Sequence, residues 1–353
     1  MVDFNQFTLN NQGVKDLSEV LFATAIKQNN VFNTATLITG VENGKKLDFV
    51  DNMGNVGLAG RSCDPTYSAI GIQGVEKTWV LDPWNIAKSI CYTQLEDTIA
   101  RFSLEGGTNR DDLQGSEFYD KILTPLMDKA IKEFVWRAVW FGDKAAKNVA
   151  QSGVITDGVD LNLIKITDGL WKRVFAVAAA NTAQHTTIAA NSQTTYAAQK
   201  SGIRTAGVAI GIVDAMLDAA DPRIAYADDA TLMMTRSLYE ALRRDYRDTY
   251  KQTIPFMEVA NGVQLPSYDG VPILVVPEWD VNINEFENSG TAWNLPHRAI
   301  FTSAKNLLVG TKATAVLDEL VSNFDDRKRD NYFYAAGDLG TMVKEDALIQ
   351  VAY

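Results

Sequence analysis

Cysteine and histidine are scarce in this chain, with two of each in 353 residues. Cys63 and Cys91 are too few for a disulfide framework and suit a chain made in a reducing compartment. Neither has a second cysteine close by, so a structural zinc site lacks its ligands. His185 lies in a Thr/Gln-rich segment and His297 follows Pro296, and each reads as a surface or hydrogen-bonded residue. Positive charge is also short: 33 Lys and Arg against 44 Asp and Glu leave a net charge of -11. No overall field attracts phosphate, which disfavours a general nucleic-acid binder and leaves a local basic patch open.

Long apolar runs are missing too. Val174 to Ala180 and Ile203 to Ala209 fall far short of the roughly 20 residues a membrane span needs. The opening MVDFNQFTLN has neither a basic region nor an apolar core, so no signal peptide is expected. No N-x-Ser/Thr triplet occurs, so N-glycosylation is not expected either. These absences predict a soluble chain made in the cytoplasm. No G-x-S-x-G, Walker, H-E-x-x-H or G-x-G-x-x-G pattern occurs. The nearest glycine pair, Gly207 and Gly211, lies in an apolar helical stretch and reads as helix packing.

What is present is 46% apolar residues, enough for a chain of this length to bury roughly three quarters of its extended surface. Residues 1 to about 35 form a polar arm whose Leu17, Val20, Leu21, Ala25 and Ile26 mark one apolar helix face that something must cover. From Gly40 to Gly74 seven glycines separate short apolar fragments, which predicts a protruding hairpin or extended loop. Val75 to Leu81 reads as a strand, and Asp82-Pro83 as the start of a helical turn. The best candidate for a long helix is Ser116 to Phe141, with Phe118, Ile122, Leu126, Ala130, Phe134 and Ala138 every fourth residue. Pro125 either kinks it or opens its main segment behind a Thr124 cap. Trp136, Trp140 and Phe141 at its end read as core or subunit packing.

Asp168 is placed to cap a helix over Gly169 to Ala180, the polar stretch Asn181 to Gln199 reads as an exposed loop, and a second helix runs from Gly202 to Ala219. Thr231 to Met234 is a short buried strand. The helix after it has Ser237 and Glu240 at capping-box spacing, with Leu238, Leu242 and Tyr246 facing inward. Further strands are read at Gly270 to Pro277, His297 to Thr302 and Ala313 to Val321. Tyr332 to Ala336 then leads to a Gly337 to Gly340 turn and a last strand within Thr341 to Tyr353 that ties down the chain end.

Asp221 and Asp228-Asp229 read as turn and cap residues. Arg243, Arg244 and Arg247, offset by Asp245 and Asp248, form a positive helix face. Arg327-Lys328-Arg329 sits between Asp325-Asp326 and Asp330. Mixed-sign runs of this kind suit salt bridges between copies better than a phosphate groove.

The order of these elements, with MTRSLYEALRRDYRD from Met234 to Asp248, YDGVPILVVPEW from Tyr268 to Trp279 and the closing stretch Arg298 to Tyr353, resembles the tailed-bacteriophage major capsid proteins of the HK97 fold. The resemblance implies an α+β chain with an N-terminal arm at 1–40 and an extended E-loop at 41–90. It implies a peripheral domain with a long spine helix at 91–165 and 311–353, and an axial domain at 166–310. The implied function is a structural one, not an enzyme. The chain would self-assemble as hexamers and pentamers into the icosahedral head of the virion, formed in the host cytoplasm around double-stranded DNA bound without sequence specificity. Partners would be further copies, a portal protein and a scaffold, with decoration proteins admitted and no membrane. No catalytic, cofactor-binding or metal-ligating residue is assigned, and no cofactor. Lys45 and Lys46 lie in the excursion, but nothing fixes an asparagine and acid for an isopeptide cross-link. Two other readings stand beside it: an encapsulin-like compartment shell of the same fold, and a hydrolytic enzyme whose acidic residues are dispersed in sequence. A deep cleft with paired perturbed acids would favour the enzyme.

Overall fold

The computed structural model describes residues 34–52, 73–91 and 124–353, apart from loop positions 226, 228, 261–262, 314–318, 326 and 329. The arm helix, Cys63, most of the glycine-rich excursion, Phe118 and Ile122, Asp228, Arg329 and much of the Ala313 to Val321 strand lie outside the described residues.

The centre is a seven-stranded mixed sheet. Its order is β5 (His185–Thr186), β14 (Gln350–Ala352), β10 (Ala299–Ser303), β6 (Ala230–Met234), β9 (Val271–Val275), β8 (Val263–Tyr268) and β7 (Phe256–Ala260). Side-chain alternation along these strands sends Met233, Ile300 and Val351 to one face and Leu232, Met234, Ile273, Phe301 and Ala352 to the other. Both faces are covered, which is why the strands read as continuous apolar runs. β8 turns into β9 through Asp269 and Gly270, whose φ values of 49° and 79° make the two-residue hairpin loop that Asp-Gly favours.

One face packs against α1 (Thr124–Trp136), which continues into a π-turn over Arg137–Phe141, against α2 (Leu170–Ala180), and against α7 (Pro277–Phe286). The wider π-turn buries Ala138, Val139, Trp140 and Phe141 in succession. Trp136, Trp140 and Phe141 therefore pack in the core, as their position in the stripe implied. The other face is covered by α3 (Tyr196–Ile203), α4 (Val208–Asp218), the single turn α5 (Pro222–Ala225) and α6 (Arg236–Tyr250).

The second sheet joins β1 (Thr36–Ile38), β11 (Leu307–Gly310), the long β13 (Asp330–Val343) and β12 (Glu319–Asp325). β4 (Asp82–Cys91) lies antiparallel to β13 from Asp82 opposite Leu339 to Cys91 opposite Asp330. β2 (Lys46–Asn52) and β3 (Gln73–Thr78) form an antiparallel ribbon, so the base of the glycine-rich excursion is a hairpin. Lys77 Nζ anchors it by donating to Val343 O at 2.8 Å and Asp346 Oδ1 at 2.6 Å.

Several expectations are corrected. Asp82-Pro83 opens a strand rather than a helical turn; proline is tolerated because, among the described residues, β4 pairs only with β13. Gly337 to Gly340 is the interior of β13, not a turn. A Cβ on Gly340 would stand 2.3 Å from Val80 O, and one on Gly310, its neighbour across the ladder, 2.5 Å from the Trp79 ring. These glycines let residues 79–81 cross close over the sheet. The helix read over Gly202 to Ala219 is two helices, α3 and α4, broken at Arg204 to Gly207. The exposed loop read at Asn181 to Gln199 instead carries buried Gln184, Ile188, Ala190, Asn191 and Gln199. Its polar side chains bond inward, as when Asn191 Nδ2 donates to His297 O at 2.7 Å.

Candidate assembly surface

The titratable groups singled out from sequence are distributed over separate structural contacts. His185 stacks on Tyr353 with ring centroids 4.1 Å apart. Arg223 joins Asp221 and Glu345, and Asp229 accepts from Lys305 and Ser303. Asp168 does not cap α2. Its carboxylate accepts from Lys144 N at 3.1 Å and from Lys172 Nζ at 2.7 Å. Burial alone would raise it, but the lysine and the N–H outweigh that and hold it below the usual carboxylate range. Lys144 Nζ also reaches Asp82 and Lys172 reaches Asp143, each at 2.6 Å, so this network ties the start of β4 to the start of α2.

The capping of α6 also differs from expectation. Thr235 is its N-cap, and the first N–H groups, Arg236 and Ser237, donate to the Asp280 carboxylate of α7 at 2.7 and 3.2 Å. Ser237 Oγ instead contacts His297 Nδ1 at 2.9 Å. Asp245 is not a surface counter-charge for the arginines; it is buried and accepts from Ala209 N at 2.9 Å, within the first turn of α4. Sequence spacing identified the exposed arginines but missed Asp245 and Asp280, whose partners are remote.

His297 is 2% exposed, and its Nε2–H donates to Gln199 O. Burial drives the imidazole down to about 4, with the charge of Arg204 adding and the Gln199 bond opposing. The unfolded chain therefore binds a proton that the folded chain does not between pH ~6.5 and ~4. Stability is full above the unfolded value and falls as pH drops through this window, by a total of about 3 kcal/mol. Urea unfolding at pH 7, 5.5 and 4.5 checks this, with His297→Gln as the variant that loses this contribution. An unchanged slope in that variant would refute the assignment.

Among the described residues, no three or more His, Cys, Asp or Glu gather where a metal ion could be held. A shallow cleft of about 300 Å³ between β4 and β13 is lined by Pro83, Trp84, Asn85, Tyr334, Ala336 and Asp338. It brings in a single carboxylate, so it does not supply the acid pair a hydrolase would need.

The surface of the described residues carries several contact features. Phe256 is 64% exposed, Val281 58% and Tyr250 50%. β4 and β7 leave strand edges unpaired within the described chain. On α6, Leu238, Ala241, Leu242 and Asp245 are buried while Arg236, Arg243, Arg244 and Arg247 are exposed. Lys46 pairs with Glu76 across the hairpin, and Lys45 lies in the turn before β2. Arg327 and Lys328 occupy the β12–β13 turn, with their backbone N–H groups directed at Asp325. Exposed aromatics, arginines and open strand edges are the composition of protein contact surfaces.

No protein-family model and no curated protein sequence matches the chain. Solved structures do match in fold. A chain of the satellite phage P4 procapsid including size determination protein aligns with a TM-score of 0.54 at 12% identity, covering 95% of this chain and 98% of that one. A chain of Gordonia phage Cozz gives 0.53 at 12% identity, covering 92% and 85%. The capsid of an empty GTA particle gives 0.51 at 14% identity, covering 92% and 88%. Identities this low speak to the backbone path alone. That path is the mixed helix-and-sheet, HK97-like fold of phage capsids, which agrees with the fold class the resemblance implied.

Proposed function

We propose that this chain is a major capsid subunit, assembling as hexamers and pentamers into an icosahedral head that encloses double-stranded DNA. The observation that carries the reading is a backbone likeness extending over 92 to 95% of the chain to chains from phage and GTA particles. Exposed aromatics and arginines and unpaired strand edges on one protomer agree with it, because a lattice of copies covers such features. On this reading residues 1–40 are the arm and 41–90 the E-loop, rising from the β2–β3 ribbon. Residues 91–165 and 311–353 are the peripheral domain around α1 and β13, and 166–310 the axial domain. The role is structural, the location is the virion, and assembly takes place in the host cytoplasm. Portal, scaffold and the packaged DNA are the proposed partners.

The test is light scattering followed by negative-stain electron microscopy of the chain expressed alone and with its neighbouring genes. Closed shells several hundred ångströms across are expected, and homogeneous monomer under both conditions overturns the reading. Nuclease-resistant double-stranded DNA in particles from the native source is expected. Particles holding protein cargo in its place would overturn the genome-enclosing part and leave a compartment shell.

A further inference from the structure

The helices α4 and α6 present charges of opposite sign on their exposed sides. On α4, Asp214 and Asp218 are exposed one helical turn apart, about 6 Å of rise. On α6, Arg243 and Arg247 are exposed at the same spacing. The two helices pack together, joined by the bond from Ala209 N to Asp245. A belt of tyrosines runs from Asp214 of α4 to α6. Tyr268 Oη donates to Asp214 Oδ1 at 2.6 Å, and the Tyr246 ring lies 6.2 Å from Tyr268 and 4.8 Å from the exposed Tyr250.

Within the described protomer these charges are under-used. Arg243, Arg244 and Asp218 enter no ion pair among the described residues, and Arg247 has only its exposed chain neighbour Asp248, at 3.6 Å. Surface pairs of that kind contribute little. Tyrosine beside arginine is the composition enriched where interfaces concentrate their energy.

We infer that this bipolar face is a contact between copies of the chain, in which Arg243 and Arg247 of one copy meet Asp214 and Asp218 of another across the tyrosine belt. The inference rests on the proposed self-assembly and names one of its contacts. Charge complementarity selects the occupant. A nucleic acid drawn to the arginines would also be repelled by the exposed carboxylates of the adjoining helix, whereas a second copy carries both signs at matching spacing. Copies with a net charge of -11 repel one another on average, and local pairing of opposite charges offsets that repulsion where they meet.

The experiment compares the full chain with three variants: Arg243→Glu with Arg247→Glu, Asp214→Lys with Asp218→Lys, and all four together. Circular dichroism and melting confirm folding, and Tyr268→Phe controls for the lost tyrosine bond. Sedimentation velocity in 50 and 500 mM salt reads association, and electron microscopy reads shells. Each double variant alone is expected to associate tenfold or more weakly. The four-fold variant, and a mixture of the two double variants, are expected to regain association, which weakens in high salt. Double variants that associate like the parent, or a folded four-fold variant that does not recover, overturn the contact. The two readings fail separately. Shells unaffected by charge reversal remove this contact and leave the capsid reading standing. Association that follows the charge rule in a chain that never closes shells keeps the contact and removes the capsid reading.

Discussion

Replacing Arg298 with alanine is expected to cost about 3–5 kcal/mol of stability, the range for breaking a buried ion pair by removing one partner. The Arg298 side chain is fully buried, at 0% exposure. Its Nη2 pairs with Glu287 and donates to Asn294 O at 3.0 Å, while Nε donates to Leu295 O at 2.8 Å. The guanidinium also lies 5.1 to 5.5 Å from the ring centroids of Phe141, Trp171 and Phe175. Alanine would leave a nearly buried carboxylate without its cation and open a cavity against three aromatic rings. Arg298→Lys should recover little, because an ammonium cannot reach three acceptors and lie flat among the rings at once. The double change Arg298→Met with Glu287→Met should lose much less than Arg298→Ala, since it removes both charges and keeps volume. Urea unfolding at pH 7 measures all three. A loss below about 1 kcal/mol for Arg298→Ala would show that the pair is not the anchor of the 287–298 segment.

Truncating Trp140 to alanine is the second large expected effect, about 3–5 kcal/mol. Its ring is fully buried, 4.6 Å from the Trp279 ring and 5.7 Å from that of Trp171, and those two are 4.7 Å apart. The three indoles join the π-turn after α1, α2 and α7 on one side of the central sheet. Removing the Trp140 ring loses its contact with Trp279 and its more distant one with Trp171, and leaves a void that relaxes only partly. Trp140→Phe keeps an aromatic plane in place and should lose less than half as much. Thermal and urea melts of the two variants decide it. Equal losses for phenylalanine and alanine would mean that indole shape, not aromatic packing, holds this junction.

The local patterns were legible in the sequence. The four-residue stripe ending at Trp136, Trp140 and Phe141, the apolar side of α2, the short strand at Met233 and the run Val271 to Val275 before Pro277 each declare themselves within about a dozen residues. Helix hydrogen bonds and strand alternation are short-range, so the residues that specify them are neighbours. The exposed side of α6 was legible for the same reason. The order of these elements also carried the resemblance to the capsid fold.

Distant partners were not legible. Asp82-Pro83 has the local form of a helix start, yet it becomes a strand because β13, some 250 residues later, supplies a ladder that no local signal announces. Gly340 has the composition of a turn but sits in a strand because β11 pairs with it, and Val80 crossing close over it leaves no room for a side chain. Asp168, Asp245 and Asp280 were all visible as acids, but which N–H or lysine each would meet depended on how the helices packed. Composition, period and charge thus determined the elements whose signal is short-range, such as α2, α6 and β9, and which residues seek cover. Tertiary structure alone decided that Arg298 is buried among aromatic rings, and that the arginine-bearing α6 packs beside the acidic α4. Side-chain chemistry is written residue by residue, whereas the partner that gives a charge its role is chosen only when remote elements meet.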